Sequence, residues 1–250
     1  MITTASSAGS LSKAFAQCGY PAETLSGKAV LVKINAAHPP APDHPRTDSA
    51  LLERVLTLLL DSEALPVICE STRGNFERNL DAMGLLGFVR SNAVQILEVD
   101  DLPTEKVTVN GEDHYIPKAY RDYAIRIAVP CASKREEMLF SNNVKLMFGA
   151  VPIRPYRKVG ERFWRSKLHD DLQSSIRNLY LAFESFAPFH LYVNGGNAYD
   201  EHRGPFRMTD TLVGNAAAEL DRLVLERWFP SHTLPEYLGR LLEKSDAACD

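Results

Sequence analysis

The sequence predicts an α/β fold with a mostly parallel sheet, helices on both faces and a small hairpin elaboration. Two observations predict the parallel sheet: short apolar runs recur, as at residues 30–34 and 65–70, and segments with an apolar helical stripe follow them. Such alternation places parallel strands in one sheet with helices on its faces. A third observation, Asn110-Gly111 between two alternating runs, predicts the hairpin.

The first part of the chain contains the clearest elements. Residues 1–26 are small and polar, so we expect a loose N-terminal arm with a short helix, followed by a single α/β domain over residues 27–250. Val30 to Ile34 is the apolar, β-branched run of a strand covered on both faces. Four prolines between Pro39 and Pro45 predict a rigid loop. Thr47, Asp48 and Ser49 can then supply the N-cap of a long, largely buried helix.

The rest of the chain continues the alternation. We expect strands at residues 65–70, 94–100, 105–110, 126–130, 190–194 and 211–213. We expect helices at residues 49–61, 76–86, 131–138, 168–186, 215–229 and 234–244. The apolar run at residues 144–152 favours a strand or a strand followed by a turn, and residues 200–210 favour a polar loop.

Composition excludes several classes of protein. No apolar run is long enough to cross a membrane, and the N-terminus lacks the basic and apolar blocks of a secretory signal, so we expect a cytoplasmic protein. A pI near 6 makes nucleic acid an unlikely partner. The cysteines show no close pair, so we expect no metal site and no cofactor; they are Cys18, Cys69, Cys131 and Cys249. Cys131 follows a strand end and is the one to test as a nucleophile.

A cationic segment between Lys145 and Lys167 is the strongest chemical signal. Its net charge is +6 in a chain whose net charge is −4. Arginine binds phosphate, sulfate or carboxylate through a planar fork of donors, and the following helix start adds free N–H groups. The segment therefore predicts a small anionic substrate, contacted by Arg154, Tyr156, Arg157, Arg162 and Arg165. Two alternatives stay open: a solvated loop, and a surface for nucleic acid or an acidic protein.

Polar residues at the ends of the predicted strands complete the candidate site, because functional groups of parallel sheets collect there. Lys33, Lys145 and His169 are the catalytic candidates, as acids or bases. The further substrate-binding candidates are Asn35, His38, Glu70, Arg73, Asn194 and Asn197.

An ordered set of short stretches resembles the domain-of-unknown-function family 362. The stretches are LVKIN (31–35), Thr47-Asp48, VICE (67–70), VKLMFGAVP (144–152), LHDDL (168–172), LYVNGGNAYDEHRGP (191–205) and AAELD (217–221). The resemblance implies an α/β fold. Some members carry attached ferredoxin-like cysteine clusters, which would imply an iron–sulfur or redox role; the cysteines of this chain form no such cluster. The DHPRTD loop is also similar to the N-terminal half of lactate-racemase-like proteins.

A stand-alone member of this size is similar to accessory enzymes of natural-product biosynthesis. One such setting is aziridine formation in azinomycin-type pathways, where an internal amine expels sulfate. Our hypothesis is a cofactor-independent, lyase- or transferase-like enzyme that displaces or eliminates a sulfate- or phosphate-type group from a small anionic metabolite. The alternative is a non-catalytic subunit of a hetero-oligomeric enzyme, with Phe163 and Trp164 as interface anchors. A homodimer stays open as well.

Overall fold

The computed structural model describes residues 1–6, 8–38, 45–136, 139–161, 165–230 and 233–246. In this part of the chain a mostly parallel sheet carries helices on both faces, and a two-stranded hairpin forms a second, separate sheet. This architecture confirms the predicted fold class. The strands are β1 (Ile2–Ala5), β2 (Ala29–Ile34), β3 (Leu65–Glu70), β4 (Gln95–Glu98), β5 (Thr104–Val109), β6 (Glu112–Pro117), β7 (Ile125–Val129), β8 (Ser133–Arg135), β9 (Leu139–Ser141), β10 (Leu191–Asp200) and β11 (Gly204–Gly214). The helices are α1 (Ala8–Gln17), α2 (Ala22–Leu25), α3 (Ser49–Asp61), α4 (Phe76–Ala82), α5 (Leu86–Ser91), α6 (Asn143–Leu146), α7 (Leu172–Phe186), α8 (Ala217–Trp228) and α9 (Glu236–Asp246).

The order of the strands creates a crevice. The main sheet runs β1-β11-β10-β7-β2-β3-β4. β10, β7, β2, β3 and β4 are parallel, whereas β1 and β10 each pair with β11 in antiparallel fashion. The chain moves outward from β2 to β3 and β4 and then returns to the other side of β2 as β7. This reversal is a topological switch point, where parallel sheets leave a binding crevice beyond the carboxyl ends of their strands.

Apolar side chains on the two faces of the sheet form two cores. Leu31 belongs to the core beneath α7 and α8, and Val30 and Val32 belong to the core beneath α1 and α3. All three side chains are 0% exposed. Burial on both faces explains why β2 is a continuous apolar run rather than an alternating one.

The predicted strand at residues 144–152 is wrong. The chain forms α6 and then a 3-10 helix, Met147–Ala150. Val144 and Met147 are 0% exposed and lie in the core beside α7. A short apolar run fits a buried helix as well as a buried strand, and its composition does not distinguish the two. A residue distant in sequence favours the helix: Asp221 accepts hydrogen bonds from the backbone N–H groups at the start of α6.

Three further segments differ from expectation. Residues 2–5, expected in a loose arm, form β1 and pair with β11 at the sheet edge. Residues 133–135, expected in a helix, form β8, which pairs with β10. The expected polar loop at 200–210 is the turn of a long β10–β11 ribbon, in which Asp200 pairs with Gly204. Polarity predicted a loop there because an exposed two-stranded ribbon has the composition of a loop.

Other predictions are confirmed. β5 and β6 form the hairpin, with Asn110 and Gly111 at its turn in left-handed backbone conformations (φ 51° and 82°). Asp48 caps α3 by accepting a hydrogen bond from the backbone N–H of Leu51 (2.8 Å). The helix expected at 76–86 is wrong in its length: α4 ends at Ala82, because the chain turns at Gly84 with φ 73°, and a separate helix, α5, begins at Leu86.

Candidate functional site

A cavity of about 670 Å³ lies beyond the carboxyl ends of β2, β3 and β7, at the switch point of the sheet. Its size is that of a small-molecule site. Its charged and histidine side chains come from separate segments of the chain: Lys33, His38, Arg46, Glu70, Arg73, Arg135, Lys145, Glu161, Arg165 and His169. Six lysines and arginines thus face two acids, so the cavity has an excess of positive charge suited to an anion.

The floor of this cationic cavity contains a buried ion pair between neighbouring strands. Lys33 Nζ lies 3.0 Å from Glu70 Oε1, and neither side chain is more than 2% exposed. Glu70 also accepts hydrogen bonds from the backbone N–H groups of Ala36 (3.0 Å) and Ser71 (2.8 Å). Burial raises the pKa of the Glu70 carboxyl, and the ammonium of Lys33 opposes that shift. The two charges are therefore compensated within the protein.

The 3-10 helix after α6, Met147–Ala150, packs directly on this ion pair at Gly149. A Cβ at Gly149 would lie 2.6 Å from Glu70 Oε1 and 2.9 Å from Lys33 Nζ. Both distances are shorter than real Cβ contacts allow. Any side chain at position 149 would therefore displace the pair or the helix that covers it.

Helix α6 presents Lys145 to the cavity, and Asp221 of α8 holds the start of that helix. Asp221 accepts hydrogen bonds from the backbone N–H groups of Asn143 (2.9 Å) and Val144 (3.0 Å). The side-chain amides of Asn142 and Asn143 donate to the same carboxylate at 2.9 and 2.8 Å. Burial raises the pKa of Asp221 to about 7, and these four donors oppose the shift. One carboxylate thus fixes the helix and, through it, the backbone that carries Lys145.

The amine of Lys145 has an unusual protonation equilibrium. Burial, and next the positive charge of Arg135, lower its pKa to about 7. A lysine in this range exists partly as the neutral amine at neutral pH and can accept a proton or attack a carbon. The imidazole of His169 packs edge-on against Phe148, 6.0 Å between ring centroids. Partial burial, followed by the charges of Lys145 and Arg165, lowers the pKa of His169.

Arg165 enters the cavity from the cationic segment and is held by the ends of β3 and β4. Its Nε donates to the carbonyl of Val151 (3.0 Å), and its Nη2 donates to the hydroxyl of Ser71. Nη2 also lies 3.8 Å from Asp100 Oδ1. Asp100 in turn accepts the hydroxyl of Ser71 (2.8 Å) and the backbone N–H of Arg73 (3.0 Å). The guanidinium is therefore fixed in place beside the end of β3.

Two arginines that sequence reasoning missed line the opposite side of the cavity. Arg46 precedes α3, and the adjacent Thr47 ties this segment to the end of β7 by donating to the carbonyl of Val129 (2.5 Å). Arg135 lies in β8, which runs beside β10. Within the described part of the chain, Arg46 Nη1 and Arg135 Nη2 are buried and have no hydrogen-bond partner. The DHPRTD loop and the SKRE stretch contained these arginines, but only the fold brings them to the cavity.

The structure brings together eight of the residues predicted for the site. They are Lys33, Asn35, His38, Glu70, Arg73, Lys145, Arg165 and His169. Arg154, Tyr156, Arg157, Asn194 and Asn197 are not among the residues that line the cavity, and Arg162 lies outside the described residues, as do Phe163 and Trp164. The cationic segment therefore contributes Arg165 and Lys145 at its two ends, while its exposed Arg154 and Arg157 point elsewhere.

The predicted residues outside the cavity have other contacts. The hydroxyl of buried Tyr156 accepts the backbone N–H of Tyr115 (2.7 Å), which ties the segment to the hairpin. The side-chain oxygen of Asn197 accepts a hydrogen bond from Arg207 Nη1 (3.2 Å), and the same nitrogen donates to Asp48 (2.8 Å). Asn194 is 0% exposed, and its amide has no hydrogen-bond partner in the described residues.

Cys131 lines the cavity, but its thiol is poorly suited to be a nucleophile. Burial, followed by the negative charge of Asp48, raises its pKa to about 12. Its Sγ donates to the carbonyl of Asn197 at 3.1 Å. Because the thiolate is the reactive form, very little of this cysteine is nucleophilic at neutral pH.

Two further properties concern only the residues that the structure describes. No three His, Cys, Asp or Glu side chains among them lie close enough together to ligate a metal ion. None of their helices has the length and apolarity that crossing a membrane requires.

Fold and cavity together define an α/β protein with a cationic crevice at the switch point of its sheet. The chain belongs to the family described as domain of unknown function (DUF362), whose model matches residues 30–226. This confirms the resemblance noted in the sequence. The matched range runs from Val30 in β2 to most of α8, and it therefore includes every residue that lines the cavity.

Among solved structures, the fold is similar to that of the lactate racemase apoprotein from Thermoanaerobacterium thermosaccharolyticum. The match has a TM-score of 0.52 and 16% sequence identity, and it covers 82% of this chain and 51% of the racemase chain. The chain thus corresponds to about half of that protein, and at this identity the likeness concerns the fold alone. A search of curated protein sequences finds no match.

Proposed function

We propose that this protein is an enzyme that binds a small anionic metabolite in the cationic cavity and uses Lys145 as its principal acid or base. The observation that carries the proposal is the position of Lys145, a buried amine with a pKa of about 7 on a helix fixed by Asp221. An amine in this state exchanges protons readily at neutral pH. The surrounding arginines supply the charge that would hold an anionic substrate in place.

The reaction that fits these groups is displacement or elimination of a sulfate- or phosphate-type leaving group. The neutral amine of Lys145 removes a proton from the substrate. The electron pair of the bond to that hydrogen then forms the new bond. In an aziridine-type closure this is the ring carbon–nitrogen bond, and in an elimination it is a carbon–carbon double bond. The carbon–oxygen bond breaks, and sulfate or phosphate departs with its electron pair toward the guanidinium groups. This step needs no oxidant or reductant, and we assign the return of the proton to solvent to His169, which lines the same cavity.

Binding of inorganic sulfate and phosphate, followed by titration calorimetry, tests the first part of the proposal. We expect both anions to bind the purified chain. Arg165→Gln and Arg73→Gln should each weaken binding by about tenfold, because each removes charge-assisted hydrogen bonds to the anion. Arg154→Gln and Arg157→Gln are the matched controls. These exposed arginines belong to the same cationic segment as Arg165 but do not line the cavity, so their loss should leave anion binding unchanged.

The outcomes separate the hypotheses. Loss of binding in Arg154→Gln and Arg157→Gln, with normal binding in the cavity variants, would move the anion site to the outer face of the cationic segment. Absence of sulfate and phosphate binding in the wild-type chain would contradict the enzyme proposal and favour the non-catalytic subunit. A stable heteromer with a co-expressed partner, seen by size-exclusion chromatography, would then be the expected finding.

Lys145 itself is tested by its titration. In chains labelled with ¹³C at lysine Cε, we expect one resonance, lost in Lys145→Met, to titrate near pH 7. If every lysine titrates above about pH 9.5, Lys145 is not a base at neutral pH and the proposed chemistry is wrong.

A further inference from the structure

The cations of the cavity form two groups on opposite sides of strand β2. Arg73 and Arg165 lie at the end of β3, where Asp100 and Ser71 hold them. Arg46 and Arg135 lie on the side of β7 and β10. We call these the β3 pole and the β7 pole. The strand order β10-β7-β2-β3 keeps the poles apart, because β2 with its Lys33–Glu70 pair stands between them.

The β7 pole contains buried N–H donors that have no acceptor among the described residues. Arg46 Nη1 and Arg135 Nη2 are removed from solvent yet have no hydrogen-bond partner within the described ranges. A buried donor without an acceptor is unfavourable, and guanidinium groups in folded proteins normally satisfy such donors with a carboxylate, a phosphate or water. Both arginines line the cavity, so a ligand in the cavity is placed to supply the missing acceptors.

The β3 pole differs because the protein already orients it. Arg165 donates to the carbonyl of Val151 and to Ser71, and Arg73 Nη2 lies 3.4 Å from His38 Nδ1. These contacts fix the direction of the guanidinium groups while both residues still line the cavity. The ends of β3 and β7 lie two interstrand spacings apart, about 10 Å, with β2 between them.

We propose that the substrate carries two anionic groups, one bound at each pole, with its reacting atoms near Lys145 between them. This inference rests on the proposed function and specifies its substrate class: a dicarboxylate, or a carboxylate that also bears a sulfate or phosphate ester. Lys145 lines the same cavity as Arg135 and Arg165, so a molecule bound between the poles can contact its amine. Planar arginine forks suit carboxylates and phosphate-type esters equally well.

A length series of simple dicarboxylates tests this inference with the wild-type chain. The probes are succinate, glutarate, adipate, pimelate and suberate, each compared by titration calorimetry with the monocarboxylate of the same chain length. We expect one or two adjacent lengths to bind at least about tenfold more tightly than their monocarboxylates, since the second carboxylate gains charge-assisted hydrogen bonds. Equal affinities of dicarboxylates and monocarboxylates at every length would overturn the inference.

Variants assign the second anionic group to the β7 pole. Arg46→Gln and Arg135→Gln should remove the advantage of the best dicarboxylate over the monocarboxylate of the same length, because only the dicarboxylate reaches both poles. Arg46→Lys and Arg135→Lys, which keep the charge but lose the fork, should restore part of it. The matched control is Arg90→Gln, at an arginine that is 63% exposed and paired with Glu77 on the surface.

The result also distinguishes this inference from the proposed function. If no carboxylate and no sulfate binds, both fail together. If sulfate and monocarboxylates bind through Arg73 and Arg165 but a second carboxylate adds nothing, the anion-binding enzyme stands and the two-pole substrate is wrong. The wild-type length series decides this point even if the Arg46 and Arg135 variants do not fold.

Discussion

Lys33 and Lys145 show how one cavity can hold two buried lysines in different electrostatic surroundings. Lys33 faces a carboxylate 3.0 Å away that is itself satisfied by two backbone N–H groups. Lys145 is acted on mainly by burial and by the positive charge of Arg135, and its pKa is lowered to about 7. The comparison teaches that the charges around a buried lysine matter as much as its burial. An opposite charge beside a buried ammonium favours its charged form, whereas a like charge disfavours it.

Removing the compensating charge from the first lysine should have the largest effect. Glu70→Gln keeps the size of the side chain but leaves the ammonium of Lys33 buried without its carboxylate. We expect the free energy of unfolding, measured by urea denaturation, to fall by about 3–5 kcal/mol. Adding Lys33→Met in the same chain should recover much of this loss, because the uncompensated charge is then gone. A loss below about 1 kcal/mol in Glu70→Gln would show that the pair is not the electrostatic unit described here.

The second lysine should behave in the opposite way. Its pKa is lower in the folded chain, about 7, than in the unfolded chain, about 10.5, so the folded state binds the proton less tightly. Stability from this group is therefore present above pH 10.5 and is lost as pH falls through 7. The two pKa values differ by about 3.5 units, so at pH 7 Lys145→Met should raise the free energy of unfolding by up to about 4 kcal/mol. The gain should shrink as pH rises toward 10.

The control for this prediction is Lys106→Met, at an exposed lysine paired with Asp113 on the hairpin. That variant should change stability by less than about 0.5 kcal/mol at any pH between 7 and 10. A pH-independent difference between Lys145→Met and the wild type would mean that Lys145 keeps an ordinary pKa. The lysine would then be a binding residue rather than the base of the proposed reaction.

The contrast between these lysines also shows how far the sequence alone reaches. Lys33 and Glu70 could be predicted because each ends a recognisable apolar strand, and parallel strands bring their carboxyl ends together. Arg165 and His169 could be predicted from local charge. The role of Arg46 and Arg135 could not, because their approach depends on β7, β8 and the loop before α3, which are distant in sequence.

Residues 142–150 mark the limit of local patterns. Their apolar run fits a strand as well as a helix, and the deciding contact is a carboxylate in α8 that is 77 residues away from Val144 in sequence. The prediction that Arg154 and Arg157 contact the same anion also depended on a local pattern, the density of charge along one segment. Net charge along a segment shows that cations are dense, but it does not show which of them face inward.

The smallest of these effects concerns the packing between the ion pair and the segment that carries Lys145. In Gly149→Ala the new Cβ would meet Glu70 Oε1 at 2.6 Å and Lys33 Nζ at 2.9 Å, so the pair or the 3-10 helix has to shift. We expect a loss of about 1–2 kcal/mol in the free energy of unfolding. Gly87→Ala is the matched control, because a Cβ at that helical position meets nothing within 4 Å. It should be neutral or slightly stabilising.

The same glycine variant tests whether the two lysines are linked. If the shift is transmitted through Met147–Ala150 to α6, the resonance of Lys145 in the labelled chain should move and its titration midpoint should change. If Gly149→Ala loses stability while the Lys145 titration stays the same, the 3-10 helix absorbs the strain locally. Lys33 and Lys145 would then be independent parts of one cavity.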